Sequence, residues 1–358
     1  MESKYNIRHY QEGDENQIVP LLILAFKTWP FYDITCSPID HWKWRYLDNP
    51  KGSMLLEITH GEKIIATGHN SIYNLIINGQ KLMGTYGTDA CVHPDYQGKG
   101  LYGKIAKTMN QWKHEIGIKF HYFVTTNPRV INSTAQRAST PHLFPHRVKY
   151  LTKIDDIDMH LKMNEISQGY LWKLKHTLKQ TLRSPPISIN GKLEIKDIDV
   201  FDDRFNNFLE EINTKYGFIK ERSQEYLNWR YLDPRGGSYK VKGAVEDGEV
   251  LGYSVLRINK IEPYHTGYFV DLLTLNRLNV AEALIQDGLD YFDENNVNQI
   301  VCQVIEEHPY EELFNRHGFS GGENSRMLFY GYYDSDEAIL NTVTPSKFHF
   351  PFGALTGI

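Results

Sequence analysis

The chain repeats itself. His41–Ser53 reads HWKWRYLDNPKGS and Tyr226–Ser238 reads YLNWRYLDPRGGS. Five consecutive residues are identical, Trp44–Asp48 and Trp229–Asp233, and each copy has a proline just beyond, Pro50 or Pro234. A five-residue match that includes tryptophan is improbable by chance in 358 residues. The fold must therefore accommodate one unit twice.

The flanks repeat as well. Upstream of each motif stand a short strand-like run and an amphipathic helix: YNIRHY then ENQIVPLLILAF, and KLEIKDI then DDRFNNFLEEINTKY. Downstream come paired strands with Gly-Glu turns, HGEKIIATG and DGEVLGY. These suit hairpins. Each copy then has a strand that carries an aspartate, YGTDACV with Asp89 and YFVDLLTL with Asp271, before a long helix and a further strand. The order is β, α, short α, antiparallel strands, β, α, β, α. It predicts the α/β (α+β) class, with two domains, each a mixed and mostly antiparallel sheet flanked by helices on both faces. We place the first domain at residues 1–155 and the second at 191–335. Residues 156–190 form a connector whose basic amphipathic run ends at Pro185-Pro186, and 336–358 form a tail that packs back on the body.

Charge and cysteine content narrow the function class. A formal charge of −5, spread without long single-sign blocks, argues against a nucleic-acid or membrane-surface binder. Cys36, Cys91 and Cys302 are few, odd in number and far apart. They read as reduced thiols in a cytoplasmic protein, with no disulfide framework and no zinc site. No run approaches the roughly 18 apolar residues of a membrane span.

One stretch carries chemistry: VHPDYQGKGLYGKI, Val92–Ile105. Pro94 closes a strand. Leu101, Ile105, Met109, Trp112 and Ile116 fall at helical spacing. Between them is a strand-to-helix turn with Gly98 and Gly100. A helix start has unpaired N–H groups and a positive dipole end, and glycines let a phosphate approach the main chain. Lys99 adds charge. The spacing is neither GxxxxGK[ST] nor GxGxxG. On residues alone, a plain turn and a phosphate cradle are evenly matched.

The stretch resembles the acyl-coenzyme-A-binding motif of the GNAT superfamily of N-acetyltransferases, with Gln97, Gly98, Lys99, Gly100, Leu101 and Tyr102 in the motif. Tyr102 stands where the pattern has a small residue. The element order and the duplication are similar to those of tandem GNAT proteins. The resemblance implies acetyl-CoA, or another acyl-CoA, as co-substrate, with no metal. Direct transfer to a small primary amine is implied, such as an amino sugar, an amino acid or a polyamine. It implies that the strand around Ala90, Cys91 and Val92 pairs with the pantetheine arm, that the Val92 N–H meets the thioester carbonyl, and that Gln97–Tyr102 hold the pyrophosphate. Asn127 and Asn132 match amide positions that touch the arm.

The second copy lacks the turn. LNRLNVAEALI (Leu275–Ile285) has no glycine, although YEELFNRHGF keeps the Gly-Phe close of such a domain. The second copy is therefore expected to be the fold without the cradle. The first copy has STPHLFPHRVKY where its own close should be.

Asp89 is the first candidate for a catalytic base and His93 the second. Asp271 stands at the place matching Asp89 in the copy without a cradle, so a fold role for Asp89 stays open beside the catalytic one. No tyrosine stands where the thiolate's proton donor is expected; Tyr150, His142 and His146 are the nearest candidates. Cys91 has no evident paired base and reads as a buried strand thiol. Phe26–Asp33 falls where such folds place the acceptor lid. Trp29, Phe31 and Tyr32 either stack on an acceptor or belong to the core. The rival function is a non-catalytic acyl-CoA sensor or assembly module. The sequence leaves the acceptor and the oligomeric state open, and points to no nucleic-acid or membrane partner.

Overall fold

Period-two and period-3.6 runs become strands and helices in the expected order. The computed structural model describes residues 4–126, 128, 131–132, 142–163, 192–261, 263–275, 277–321, 325–332 and 338–354. Two compact units emerge. The first comprises Met1–Phe144, Asp233–Gly237 and Met327–Thr342; the second comprises Pro145–Leu232, Ser238–Arg326 and Val343–Ile358. None of the described helices is long and apolar enough to cross a membrane.

The first unit contains β1 (Asn6–His9), α1 (Glu15–Phe26), α2 (Pro38–Tyr46), β2 (Ser53–His60), β3 (Lys63–Ile77), β4 (Gln80–Val92), α3 (Leu101–Glu115), β5 (Phe120–Thr125) and β6 (His142–Leu143). The second contains β7 (Val148–Ile154), α4 (Ile157–Met163), β8 (Leu193–Asp197), α5 (Asn206–Lys215), β9 (Phe218–Lys220), α6 (Gln224–Tyr231), β10 (Lys240–Glu246), β11 (Glu249–Ile261), β12 (Tyr264–Thr274), α7 (Leu278–Glu294), β13 (Gln299–Ile305), α8 (Pro309–Arg316) and β14 (Ser320–Gly321). The last strand, β15 (Met327–Tyr332), belongs to the first unit.

The first sheet runs β1-β2-β3-β4-β5-β15-β6, and the second β14-β7-β13-β12-β11-β10-β8. Along these orders the pairs are antiparallel except one in each sheet, β4 with β5 and β12 with β13. The order departs from the expected boundary at residue 155. β7, which closes the first repeat in sequence, pairs antiparallel with β13 and β14 of the second unit. β15, which closes the second repeat, pairs with β5 and β6 of the first. Each repeat thus gives its last long strand to the other sheet. Residues 339–342, expected in the tail, also belong to the first unit. Of the expected connector, 164–190 lie outside the described residues.

Helices cover both faces of each sheet, as alternation along the strands requires. In the first unit α1 and α2 place Ile18, Leu22 and Trp42 over Leu55, Ile64 and Cys91. On the other face α3 places Leu101 and Ile105 over Ile58, Ile65 and Ala66, and Met109 over Met54 and Leu56. In the second unit Val280, Leu284 and Phe292 of α7 pack with Leu256, Ile258 and Phe269. The two repeated motifs lie in short helices with matching starts. Ser37 Oγ accepts the Asp40 N–H (3.0 Å), and Ser223 Oγ accepts the Tyr226 N–H (3.2 Å). Such caps satisfy N–H groups that the helix itself leaves unpaired.

Candidate functional site

The parallel pair of the first unit is short. β4 pairs with β5 only over Gly84–Tyr86 against Phe120–Tyr122, yet β4 continues to Val92 and β5 to Thr125. Beyond Tyr86 the two strands part. On its other edge β4 stays paired with β3. There the register shifts after Thr67, so that Thr67 faces Cys91 and His69 faces Thr88. Asp89 sits in this bulge with a φ of 47°, a conformation that aspartate tolerates better than most residues. The His93 N–H donates to the Ile65 carbonyl (2.8 Å). Antiparallel ladders alternate, so Val92 turns its own N–H and C=O away from β3, toward the gap.

The gap opens onto the glycine turn. After the single turn Pro94–Tyr96, Gly98 (φ 75°) and Gly100 (φ 72°) both adopt left-handed conformations, which only glycine adopts without penalty. Gly100 is the N-cap of α3, and no side chain caps that helix. Nothing lies within 4 Å of the Cβ direction of either glycine. The first N–H groups of α3 are thus left for a ligand, at the positive end of the helix dipole. An open groove of about 360 Å³ lies here. It is lined by Ala25 and Phe26 of α1, Ala90, Cys91 and Val92 of β4, and Tyr96, Gln97, Gly98, Gly100, Leu101 and Tyr102.

Most of the residues singled out for the cofactor therefore meet at one place, with three qualifications. Lys99 lies back on the turn, its ammonium donating to the Asp95 carbonyl (2.9 Å) and resting over the Tyr96 ring. Asn132 is helical and exposed and does not line the groove. Asn127 lies outside the described residues. Ala25 and Phe26 are groove walls that no motif signals, although Phe26 opens the aromatic segment Phe26–Asp33. Within that segment Trp29 and Tyr32 are core residues, while Phe31 is 56% exposed. The exposed Tyr102 ring lines the groove, so its bulk occupies open space at the helix start.

Asp89 is held on every side. It accepts from Tyr46 Oη (2.5 Å) and Trp29 Nε1 (3.0 Å), and Arg45 lies 3.3 Å away. Burial alone would raise its pKa; the Arg45 charge and the Tyr46 hydrogen bond overcome that and hold it below the usual carboxylate range. His69 sits beneath. Trp42 Nε1 donates to its Nε2 (3.3 Å), which leaves Nδ1 to donate to the Asp89 carbonyl (3.0 Å). Burial lowers the His69 pKa to about 4, so the ring is neutral. The second unit repeats the arrangement. Asp271 accepts from Tyr231 Oη (2.8 Å), Tyr253 Oη (3.2 Å) and Arg222 (3.0 Å). Tyr46 and Tyr231 are the tyrosines of the repeated Trp-Arg-Tyr-Leu-Asp motif. The held carboxylate is thus present in both units, one of them without the glycine turn.

The remaining candidates fall outside the groove. His93 turns toward Lys63 of β3, 3.3 Å from its ammonium, and the groove lining passes from Val92 to Tyr96 without it. His142 packs on Tyr330, while Tyr150 and His146 belong to the second unit. Cys91 lines the groove, but burial, aided by Asp89, pushes its thiol pKa up to about 12. It is therefore a poor nucleophile. Among the described residues, no three His, Cys, Asp or Glu side chains gather as metal ligands.

Residues 6–133 match the family model of the acetyltransferase (GNAT) domain. No curated protein matches the sequence. Solved structures share the fold. A Saccharomyces cerevisiae N-myristoyltransferase bound to myristoyl-CoA superposes with a TM-score of 0.62 at 11% identity, over 93% of this chain and 81% of its own. A probable N-acyltransferase from Enterococcus faecalis gives 0.60 at 11%, over 92% and 73%. A tandem GNAT protein from the clavulanic acid biosynthesis pathway gives 0.57 at 13%, over 92% and 98%.

Proposed function

We propose that this chain, which carries a GNAT acetyltransferase domain over residues 6–133 within a tandem GNAT fold, moves an acyl group from a coenzyme A thioester directly to a small primary amine. The observation that supports this most is the strand gap between β4 and β5 opening onto an uncapped helix start with two left-handed glycines. A pyrophosphate suits the N–H groups of that helix, and an amide-bearing arm suits the edge of Ala90–Val92 that β5 does not pair, where the Val92 carbonyl accepts only from the Gln97 side chain among the described residues (3.4 Å). The Val92 N–H is the donor we assign to the thioester carbonyl, where charge develops during transfer. We take acetyl-CoA as the donor, and an amino sugar, amino acid or polyamine as the acceptor.

The proposed transfer is direct, since burial, aided by the Asp89 charge, keeps the Cys91 thiol protonated. We assign Asp89 a positioning role: its oxygens are engaged and its pKa is low, and it fixes the bulge that turns the end of β4. The acceptor's proton then passes to solvent in the open groove. Rates should rise with pH as the amine itself deprotonates, and Asp89→Asn should lower kcat without removing a limb of the pH–rate profile.

Acetyl-CoA and a panel of primary amines, with free thiol as the readout, test the reading. Thiol release that depends on one class of amine supports it. Tight binding of the thioester with no release on any amine would sink it and leave the sensor. The sensor is favoured by one observation: among the described residues, no Asp, Glu, His, Lys or Arg side chain lines the groove.

A further inference from the structure

The second unit also has a strand gap. β12 pairs with β13 only over Thr266–Phe269 against Gln299–Cys302, while the strands continue to Thr274 and Ile305. The start of α7 offers no glycine turn. The gap is nonetheless filled, by the chain's own segment Phe348–Ala354. Phe348, Phe350 and Phe352 alternate along it, and all three are at most 3% exposed. Phe348 stacks on Phe218 (centroids 4.4 Å apart), and Phe352 packs on Tyr150 (5.1 Å). The polar groups are matched as well. The His349 N–H donates to the Phe218 carbonyl (2.8 Å), and Gln303 Nε2 donates to the Phe350 carbonyl (2.8 Å). His349 Nε2 donates to Asp271 Oδ1 (2.9 Å). Only about 30 Å³ of hollow remains against the segment, compared with about 360 Å³ in the first unit's groove.

We infer that the second unit is a peptide-binding module whose ligand is this chain's own C-terminal segment, seated in the strand gap that the first unit keeps open for its acyl donor. Over Phe348–Pro351 the mode is that of a strand-like peptide, its main chain held by Phe218 and Gln303 and its alternate side chains in pockets, before Phe352–Ala354 make a single 3-10 turn. The loss of the glycine turn then has a physical meaning. A gap closed by a peptide that carries no phosphate needs no phosphate-binding helix start. The comparison with the first unit rests on reading its groove as the donor's; the docking of the segment does not.

Gly353 offers a test in the full-length chain. A Cβ there would overlap the Tyr231 hydroxyl and lie 3.2 Å from the Val270 carbonyl, so Gly353→Leu expels the segment without altering the gap's walls. Hydrogen–deuterium exchange should show slow exchange at residues 348–354 in the native chain. Gly353→Leu should lower that protection at least tenfold, together with that of 272–274, and leave the turn at 98–102 unchanged. A peptide of residues 343–354, added to the variant, should restore protection at 272–274. Undiminished protection in Gly353→Leu, or no rescue at saturating peptide, overturns the inference. Should the variant lose protection throughout α7, His349→Ala takes its place, because Asp271 keeps its other partners. It must loosen 348–354 while α7 stays protected, and failure to do so also overturns the inference. A chain that binds no coenzyme A at all contradicts the reading of the first unit and leaves the peptide result standing.

Discussion

Asp89 and Asp271 show what the repeated motif is for. Tyr46 and Tyr231, each the third residue of a copy, reach 43 and 40 residues along the chain to hold a buried carboxylate. The motif was legible in the sequence, but its purpose was not, because the partner lies on a strand that only tertiary structure brings near. Its last residues, Asp48 and Asp233, meet on one arginine, Arg235, at 2.6 and 2.7 Å. Removing a donor leaves the charge buried, so Tyr46→Phe should cost about 1–3 kcal/mol in urea unfolding. Arg45→Met leaves Asp89 without its cation and should cost about 3–5 kcal/mol. The pH dependence follows from the depressed pKa. Below the unfolded value of about 3.9 the unfolded chain binds more protons. The Asp89 contribution is therefore complete above that value and lost as pH falls through the lower folded pKa. Asp89→Asn should flatten the stability–pH slope there. Lys113 behaves differently. Burial pushes its pKa down to about 7, so between pH 7 and about 10 stability should rise with pH. Lys113→Met should remove that slope and stabilise the chain at pH 7.

At the level of elements, the strand-to-helix turn and the strand gap do separate work. The turn was legible because left-handed positions leave a mark in sequence, as Gly98 and Gly100. The gap was not, since it depends on where the β4–β5 pairing stops, a non-local matter of register. The same limit explains Lys99, whose side chain folds onto its own turn, and His93, which the sequence placed beside the site but the ladder turns toward Lys63. Val92→Pro isolates the assigned donor. Proline removes an N–H that the β3–β4 ladder does not use. Stability and coenzyme A affinity should change little, while kcat should fall about 10²–10³-fold. An unchanged kcat would remove Val92 from the chemistry.

For the whole molecule, duplication was plain from five shared residues, and the mixed sheets with helices on both faces followed from element order. The strand exchange was not readable. β7 and β15 have ordinary strand patterns, and alternation does not encode which sheet a strand joins. The tail's apolar composition signalled that it packs, but not that it fills a gap. The central claim is an asymmetry between two like units, one open to a coenzyme A thioester and one closed by its own chain. Calorimetric titration of the full-length chain with acetyl-CoA tests it most directly. The expected result is one site per chain, retained in Gly100→Asn, which tolerates the left-handed backbone, and weakened at least tenfold in Gly100→Glu, which sets a carboxylate against the pyrophosphate. Two sites per chain, or undiminished binding in Gly100→Glu, would contradict it.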